Sequence, residues 1–258
     1  MGPGGALEHF DGKAWHTMSS GTTQDLKSIA GTAADDIWAV GANGVTLHFD
    51  GQKWSQSEST SESTLLSVWP TSRNEVWVAG IGEAGLLRHY KADIKWENVN
   101  ISGANSLWKT WASSDHDVWL VGSDEQVKGF VLHGDGKHFE RMPFEGSGLR
   151  AVFGTSPNDV WVGEYAGGLH HWDGAHWSLV PSVPDAHWIG IWGTQANDLW
   201  AFGLDGMLGH YDGKAWSRVD TGTKAHLWSA WGSAANSVWI VGSDGVRLHW
   251  DGASLKRS

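Results

Sequence analysis

Seven histidines occupy matching places along a chain of 258 residues: His9, His48, His89, His133, His171, His210 and His249. Imidazole is the side chain most often used to bind a metal or to move a proton near neutral pH. The spacing argues against both uses here. One histidine per repeat, set around a ring, cannot converge on a single metal ion. A His–Asp–hydroxyl network inside each repeat, satisfying polar groups beneath packed tryptophan, is the expected role. A second group of residues occurs only once each. Glu164 with His187 or His226 has the residue types of an acid–base pair, and Arg150, Glu164 and Tyr165 have those of a site for a polyhydroxylated ligand.

Several chemistries are excluded or disfavoured. The chain has no cysteine, hence no disulfide framework, thiolate metal site or thiol nucleophile. It contains no Gly-x-Ser-x-Gly, His-Glu-x-x-His or phosphate-loop pattern. No metal or cofactor is expected. A net charge of −11 repels phosphate backbones, so nucleic acid is not an expected partner. No run of eighteen apolar residues predicts a membrane span. The opening Met1-Gly2-Pro3-Gly4-Gly5 lacks the basic and apolar regions of a signal peptide. The compartment stays open, with the cytoplasm favoured.

The elements that position these residues follow from 20 tryptophans and 35 glycines. Asp35-Asp36-Ile37-Trp38-Ala39-Val40-Gly41 has equivalents centred on Trp77, Trp119, Trp161, Trp200 and Trp239, at intervals of 39, 42, 42, 39 and 39 residues. His48-Phe49-Asp50-Gly51 with Trp54 follows the first of these, and its histidine recurs after each. A further copy, His9-Phe10-Asp11-Gly12 with Trp15, precedes them all. Repeats of about 40 residues with four short strands apiece predict a β-propeller. The strands of the first repeat are Leu26–Ala30, Ile37–Val40, Val45–Phe49 and a fourth from Trp54, with Asp50-Gly51 as a two-residue turn. No apolar period of 3.6 is sustained, so helix should be nearly absent.

The predicted fold is all-β: a six-bladed propeller of four-stranded antiparallel blades forming a single domain over residues 1–258. The repeats run approximately 6–20 (partial), 21–59, 60–101, 102–143, 144–182, 183–221 and 222–258. Ala253–Ser258 lacks the expected tryptophan and reads as a poor outer strand, so the strand around Trp15 is expected to complete the last blade and close the ring. An incomplete seven-bladed ring is the alternative.

In a repeat protein, residues present in every unit serve the unit, and residues found once serve function. Thr32, Thr71, Ser113, Thr155, Thr194 and Ser233 should bond local backbone between the first two strands, as should Asp36, Glu75, Asp117, Asp159, Asp198 and Ser237. Ala30, Trp69, Trp111, Phe153, Trp192 and Trp231 read as core between blades. The second residue of the innermost strand varies most: Lys27, Leu66, Trp108, Arg150, Ile189 and Trp228. With His187 and His226 just before two of these strands, they are expected to ring the top of a central channel. The loops between second and third strands lie on the same face. Two carry extra residues, at Gly82-Glu83-Ala84 and at Ser123–Lys128, and one has Glu164-Tyr165 where the others place glycine.

The pattern Asp-Val-Trp-x-Val-Gly, then Gly, then aromatic-Asp-Gly-x-x-Trp, resembles that of tectonin-type and bacterial lectin-like propellers, and the per-blade use of His, Asp, Ser/Thr and Trp resembles WD40 propellers in architecture. The resemblance implies recognition of glycans or glycolipids and transfers no sugar-binding residue. The expected function is therefore non-catalytic, lectin-like binding of a glycan or other small polar ligand at the top face. The candidate residues are Lys27, Trp108, Arg150, Glu164, Tyr165, His187, His226 and Trp228. A protein-interaction scaffold with a protein partner is the alternative, and a hydrolase or lyase with its site at the channel mouth is the second.

Overall fold

The computed structural model describes residues 1–57, 62–82, 85–146, 148–165 and 167–258. The expected insertion at Glu83 and Ala84 lies outside them. Regular structure is almost entirely strand. Among the described residues, helix is limited to single 3-10 turns such as Ala42–Gly44, and no helix is long and apolar enough to cross a membrane.

The chain divides into two compact units. The first comprises Met1–Val127 with His133–Glu140, the second Lys128–Leu132 with Arg141–Ser258. The first unit opens with a two-stranded sheet, β1 (Leu7–Phe10) and β2 (Trp15–Met18). Its first blade is β3 (Leu26–Ala33), β4 (Asp36–Gly41), β5 (Thr46–Phe49) and β6 (Trp54–Gln56). The second is β7 (Leu65–Ser72), β8 (Glu75–Gly80), β9 (Leu86–Lys91) and β10 (Lys95–Asn100). The third is β11 (Ser106–Ser114), β12 (Asp117–Ser123), β13 (Gly129–Gly134) and β14 (Phe139–Arg141), with the boundary between units falling inside β13.

The second unit holds three more blades. The fourth is β15 (Leu149–Ser156), β16 (Asp159–Glu164), β17 (Leu169–Trp172) and β18 (Trp177–Val180). The fifth is β19 (Trp188–Gln195), β20 (Asp198–Gly203), β21 (Leu208–Tyr211) and β22 (Trp216–Arg218). The sixth is β23 (Leu227–Ala234), β24 (Ser237–Gly242), β25 (Arg247–Trp250) and β26 (Leu255–Arg257). Each blade is a meander in which sequence neighbours pair. The fold is that of a six-bladed β-propeller.

The closure differs from the expectation. The sixth blade takes its fourth strand from its own C-terminal segment, where Trp250 pairs with Leu255 and His249 with Lys256. The strand around Trp15 pairs instead with β1, Phe10 opposite Trp15 and Leu7 opposite Met18. A fourth strand needs only one bonded edge, so Leu255–Arg257 suffices without a tryptophan. The turn after the third strand also differs, spanning four residues rather than two in five blades and three in the second. In the first blade, Asp50 N–H donates to the Lys53 carbonyl at 3.3 Å, and the Asp50 carboxylate accepts the amides of Gln52 and Lys53 at 2.9 Å. Gly51, at φ 90°, takes the left-handed position that a side chain would resist.

Blades pack through alternating apolar faces. In the first unit Trp38 and Val40 join Leu65, Val68, Val76 and Val78 in one cluster. In the second, Trp200, Phe202 and Leu208 join Leu227, Ala230, Val238 and Ile240. The innermost aromatic column is core for part of its length: Trp111 and Phe153 are buried, and the Trp69 indole donates to the Ala112 carbonyl at 2.9 Å. Trp231 departs from the expectation, being 63% exposed. It sits on the last inner strand of its unit, where no later blade of that unit follows.

One column of small residues beside that core has an intruder. Ser28, Ser67, Ala151, Gly190 and Ser229 occupy matching places on the inner strands, and Ser28 and Ser67 accept the amides of Val68 and Thr110 at 3.2 and 3.1 Å. The third blade has Lys109 there. Burial lowers its pKa from the ordinary lysine value. An unfolded chain then binds more protons than the folded one between the lowered value and about 10.4, so stability rises with pH across that window. Lys109→Ser is expected to raise stability at neutral pH by about 1–2 kcal/mol. It should also flatten the alkaline rise, read as denaturant midpoints from pH 7 to 10.

Candidate functional site

The recurring residues form the expected networks, with different internal partners. His48, His133, His171 and His210 place Nε2 at 2.8, 2.7, 2.6 and 2.8 Å from Asp36, Asp117, Asp159 and Asp198. The hydroxyls of Thr32, Ser113, Thr155 and Thr194 donate to the same carboxylates rather than to backbone. Each imidazole also stacks on the second-strand tryptophan, with centroids 3.8–4.4 Å apart in all six blades. Burial alone would raise the carboxyl pKa of Asp159, but hydrogen bonds from His171, Thr155 and Trp161 outweigh it and hold the group below the usual carboxylate range. In the second blade Glu75 replaces the aspartate, and burial raises its pKa while lowering that of His89 to about 4. These histidines are occupied by the scaffold.

The variable position has a structural cause absent from its residue types. In every blade the pairing of first and second strands slips by one residue at this point. The slips fall between Leu26 and Ser28, Leu65 and Ser67, Leu107 and Lys109, Leu149 and Ala151, Trp188 and Gly190, and Leu227 and Ser229. The residue skipped is Lys27, Leu66, Trp108, Arg150, Ile189 or Trp228. Each is therefore the extra residue of a β-bulge, a feature that re-aims a side chain away from the pleat. The sheet does not constrain it, so its identity is free to vary.

In the fourth blade the bulge residue joins other candidates. The Arg150 guanidinium carbon lies 5.9 Å from the Tyr165 ring centre. Burial lowers the arginine pKa and the nearby tyrosine opposes the shift. His187 donates Nδ1–H to the Tyr165 carbonyl at 2.6 Å, and the two rings stand 5.3 Å apart. Tyr165 is 41% exposed, so cation, phenol and imidazole share one solvent-facing cluster.

Glu164 serves a different pair. Its carboxylate lies 3.4 Å from His170 Nε2, with both side chains largely covered and Phe144 4.7 Å from the imidazole ring. A Cβ on Gly146 or Gly168 would come within 2.2 or 2.5 Å of the Glu164 carboxylate oxygens, so two glycines leave the space it fills. Burial lowers the His170 pKa, while Glu164 pulls the other way. The expected partners of Glu164, His187 and His226, bond elsewhere. His170 was missed by the sequence reading. Its signal is the His170-His171 doublet, which puts an imidazole in a column that holds Leu47, Arg88, Leu132, Gly209 and Leu248 in the other blades.

A second spot in the same unit holds His226 and Trp228, rings 5.6 Å apart and near perpendicular, with the indole 50% exposed. His226 Nδ1 accepts the Asp205 N–H at 3.1 Å. The two histidines thus use Nδ1 oppositely. His187 donates from it and leaves Nε2 as an acceptor, whereas neutral His226 accepts there and carries its proton on Nε2. The first unit contains the remaining candidates. Lys27 is exposed and 3.2 Å from Asp25, and Trp108 is half-buried.

No family model and no curated protein matches this chain. Solved structures do. One described as YCF48 bound to D1 peptide is 17% identical with a TM-score of 0.72, covering 99% of this chain and 87% of its own. YCF48 from Cyanidioschyzon merolae is 15% identical with a TM-score of 0.66, over 91% and 85%. The WD40 β-propeller domain of Doa1 is 10% identical with a TM-score of 0.75, over 99% and 84%. Identities this low establish a shared fold.

Proposed function

We propose that this propeller is a non-catalytic scaffold that binds a segment of another polypeptide through the bulge residues of its second unit, Arg150, Ile189 and Trp228, and the turns beside them. The observation that carries the reading is the bulge itself. The same backbone irregularity recurs in all six blades, and the side chain it ejects changes from cation to aliphatic to tryptophan. Exposed Trp228 and Tyr165, with Arg150 beside the latter, are the residue types that dominate binding energy at protein interfaces. The opposed His187 and His226 offer one acceptor and one donor, suited to the alternating carbonyls and amides of a peptide. A similar fold has been solved in complex with a peptide, which supports a polypeptide ligand over a sugar.

Panning a displayed peptide library on the protein tests this. Selected peptides should bind Trp228→Ala or Arg150→Glu at least tenfold more weakly, a loss of about 1.4 kcal/mol. Peptides indifferent to both substitutions would sink the proposal. Glycans bound on an array and lost in the same variants would put the lectin-like reading in its place.

A further inference from the structure

Three of the turns between second and third strands share one backbone and differ in what their central residue does. Asn43, Asp205 and Asp244 stand at φ 52°, 52° and 55° inside the single 3-10 turns Ala42–Gly44, Leu204–Gly206 and Ser243–Gly245. Asparagine and aspartate tolerate this left-handed conformation better than other side chains. In the first unit the Asn43 amide is bonded to Gln24 at 2.7 Å. By strand register, the places matching Gln24 in the fifth and sixth blades hold Ala186 and Ala225, which offer no such partner. Asp205 and Asp244 are both exposed, and among the described residues neither carboxylate pairs with a lysine or arginine.

His226 ties these two turns to a bulge tryptophan. Its Nδ1 accepts the Asp205 amide and lies 3.9 Å from the Asp205 carboxylate. Its main chain is bonded to the other turn: the Ser243 amide donates to the His226 carbonyl at 2.8 Å, and the His226 amide donates to the Ser243 hydroxyl at 3.0 Å. Its ring stands 5.6 Å from that of Trp228, near perpendicular. The bulge turns Trp228 out of the pleat, and half of the indole is open to solvent. An open indole beside carboxylates that lack a counter-ion calls for a cation, one that can lie on the ring and still reach the acids.

We propose that this spot takes an arginine side chain of the bound polypeptide, its guanidinium stacked on the Trp228 indole and its N–H groups donating to Asp205 and Asp244. Guanidinium suits the spot better than ammonium. It is planar, weakly hydrated and always charged, and its five donors leave several free for the carboxylates once the plane lies on the ring. A lysine would bring a point charge that holds its water more tightly. Neutral His226 carries its proton on Nε2, so it is no rival for the acids and can donate to a carbonyl of the segment beside the arginine. The chain's net charge of −11 draws a basic segment toward it. This inference deepens the function proposed above and rests on it for the polypeptide, but the cation site can be tested without one.

The probe is N-acetyl-arginine amide, titrated into the isotope-labelled full chain and read on the Trp228 indole N–H resonance, which Trp228→Phe identifies by its loss. A saturable shift in the millimolar range is expected. N-acetyl-citrulline amide keeps the shape without the charge and should bind at least tenfold more weakly. The double variant Asp205→Asn, Asp244→Asn should weaken the arginine amide by a similar factor. Both aspartates are exposed, so this variant should fold, and an otherwise unchanged spectrum checks that. No shift, equal binding of the two amides, or binding unchanged in the double variant overturns the proposal. Panned peptides that need Trp228 but contain no arginine would also overturn it while leaving the scaffold reading in place. Arginine amide bound as expected, with no peptide selected, would sink the scaffold reading and leave the cation site standing.

Discussion

Asp159→Ala should cost about 2–4 kcal/mol of stability, read as a lowered denaturant midpoint. The Asp159 carboxylate is mostly covered, and it accepts from His171 at 2.6 Å, from the Trp161 indole at 3.1 Å and from the Thr155 hydroxyl. Removing it leaves three donors beneath a packed tryptophan without their acceptor, and breaking such a network costs more than the network contributes net. The pH dependence gives a second readout. A carboxyl whose folded pKa is depressed contributes stability that is complete above the unfolded value near 4 and is lost as pH falls through the folded value. The gap between wild type and Asp159→Ala should therefore narrow in acid. Asp159→Asn keeps the shape and should fall between the two. A gap under about 0.5 kcal/mol at pH 7 would show that the networks are incidental.

Gly203→Ala is expected to be at least as damaging, at about 3 kcal/mol or more. Its φ of −168° is open to any residue, so conformational freedom is not the reason for glycine. The reason is proximity. A Cβ there would lie 1.8 Å from the His187 carbonyl oxygen, which also accepts the Leu204 amide at 3.1 Å. Backbone must move apart and that bond must stretch. Gly41, Gly80 and Gly242 meet the carbonyls of Asp25, Thr64 and His226 in the same way, at 1.9, 2.3 and 2.4 Å. The fourth blade has Glu164 at this place, opposite a first strand entered through Gly148 at φ 62°. The glycine has moved from one strand to its partner, and the equivalent bond, Tyr165 amide to Gly148 carbonyl, survives at 2.8 Å. Glu164→Gly relieves no such close approach and instead leaves the covered His170 imidazole without its carboxylate, so it should lose about 1–3 kcal/mol, and a gain in stability would refute this account.

The fold was legible because each repeat states the same solution in the same residues. Strand order and the His–Asp–hydroxyl networks follow from the repeat, whereas the Asp-Gly turn is longer than expected and the stacking of His on Trp is added by the structure. Single-blade events were harder. The C-terminal Leu255–Arg257 carries none of the outer-strand signature, and its place is set by its pairing with His249 and Trp250 rather than by its own propensity. Trp231 looks like core because its five counterparts read so, and only the end of the unit exposes it. The variable position was visible as variation, but the bulge behind it is a matter of register, which residue types do not encode. Glu164 was visible as an exception to glycine. Its partner His170 was masked by the neighbouring repeat histidine.

The bulges carry a consequence for how such a surface changes over time. A residue expelled from the pleat contributes little to the pairing on either side of it, so exchange at Lys27, Leu66, Trp108, Arg150, Ile189 or Trp228 leaves the ladder intact. Binding preference and structural integrity are then under separate control, and several such exchanges can accumulate with nearly additive effects. A lineage can alter what it recognises in small independent steps without passing through an unstable ancestor.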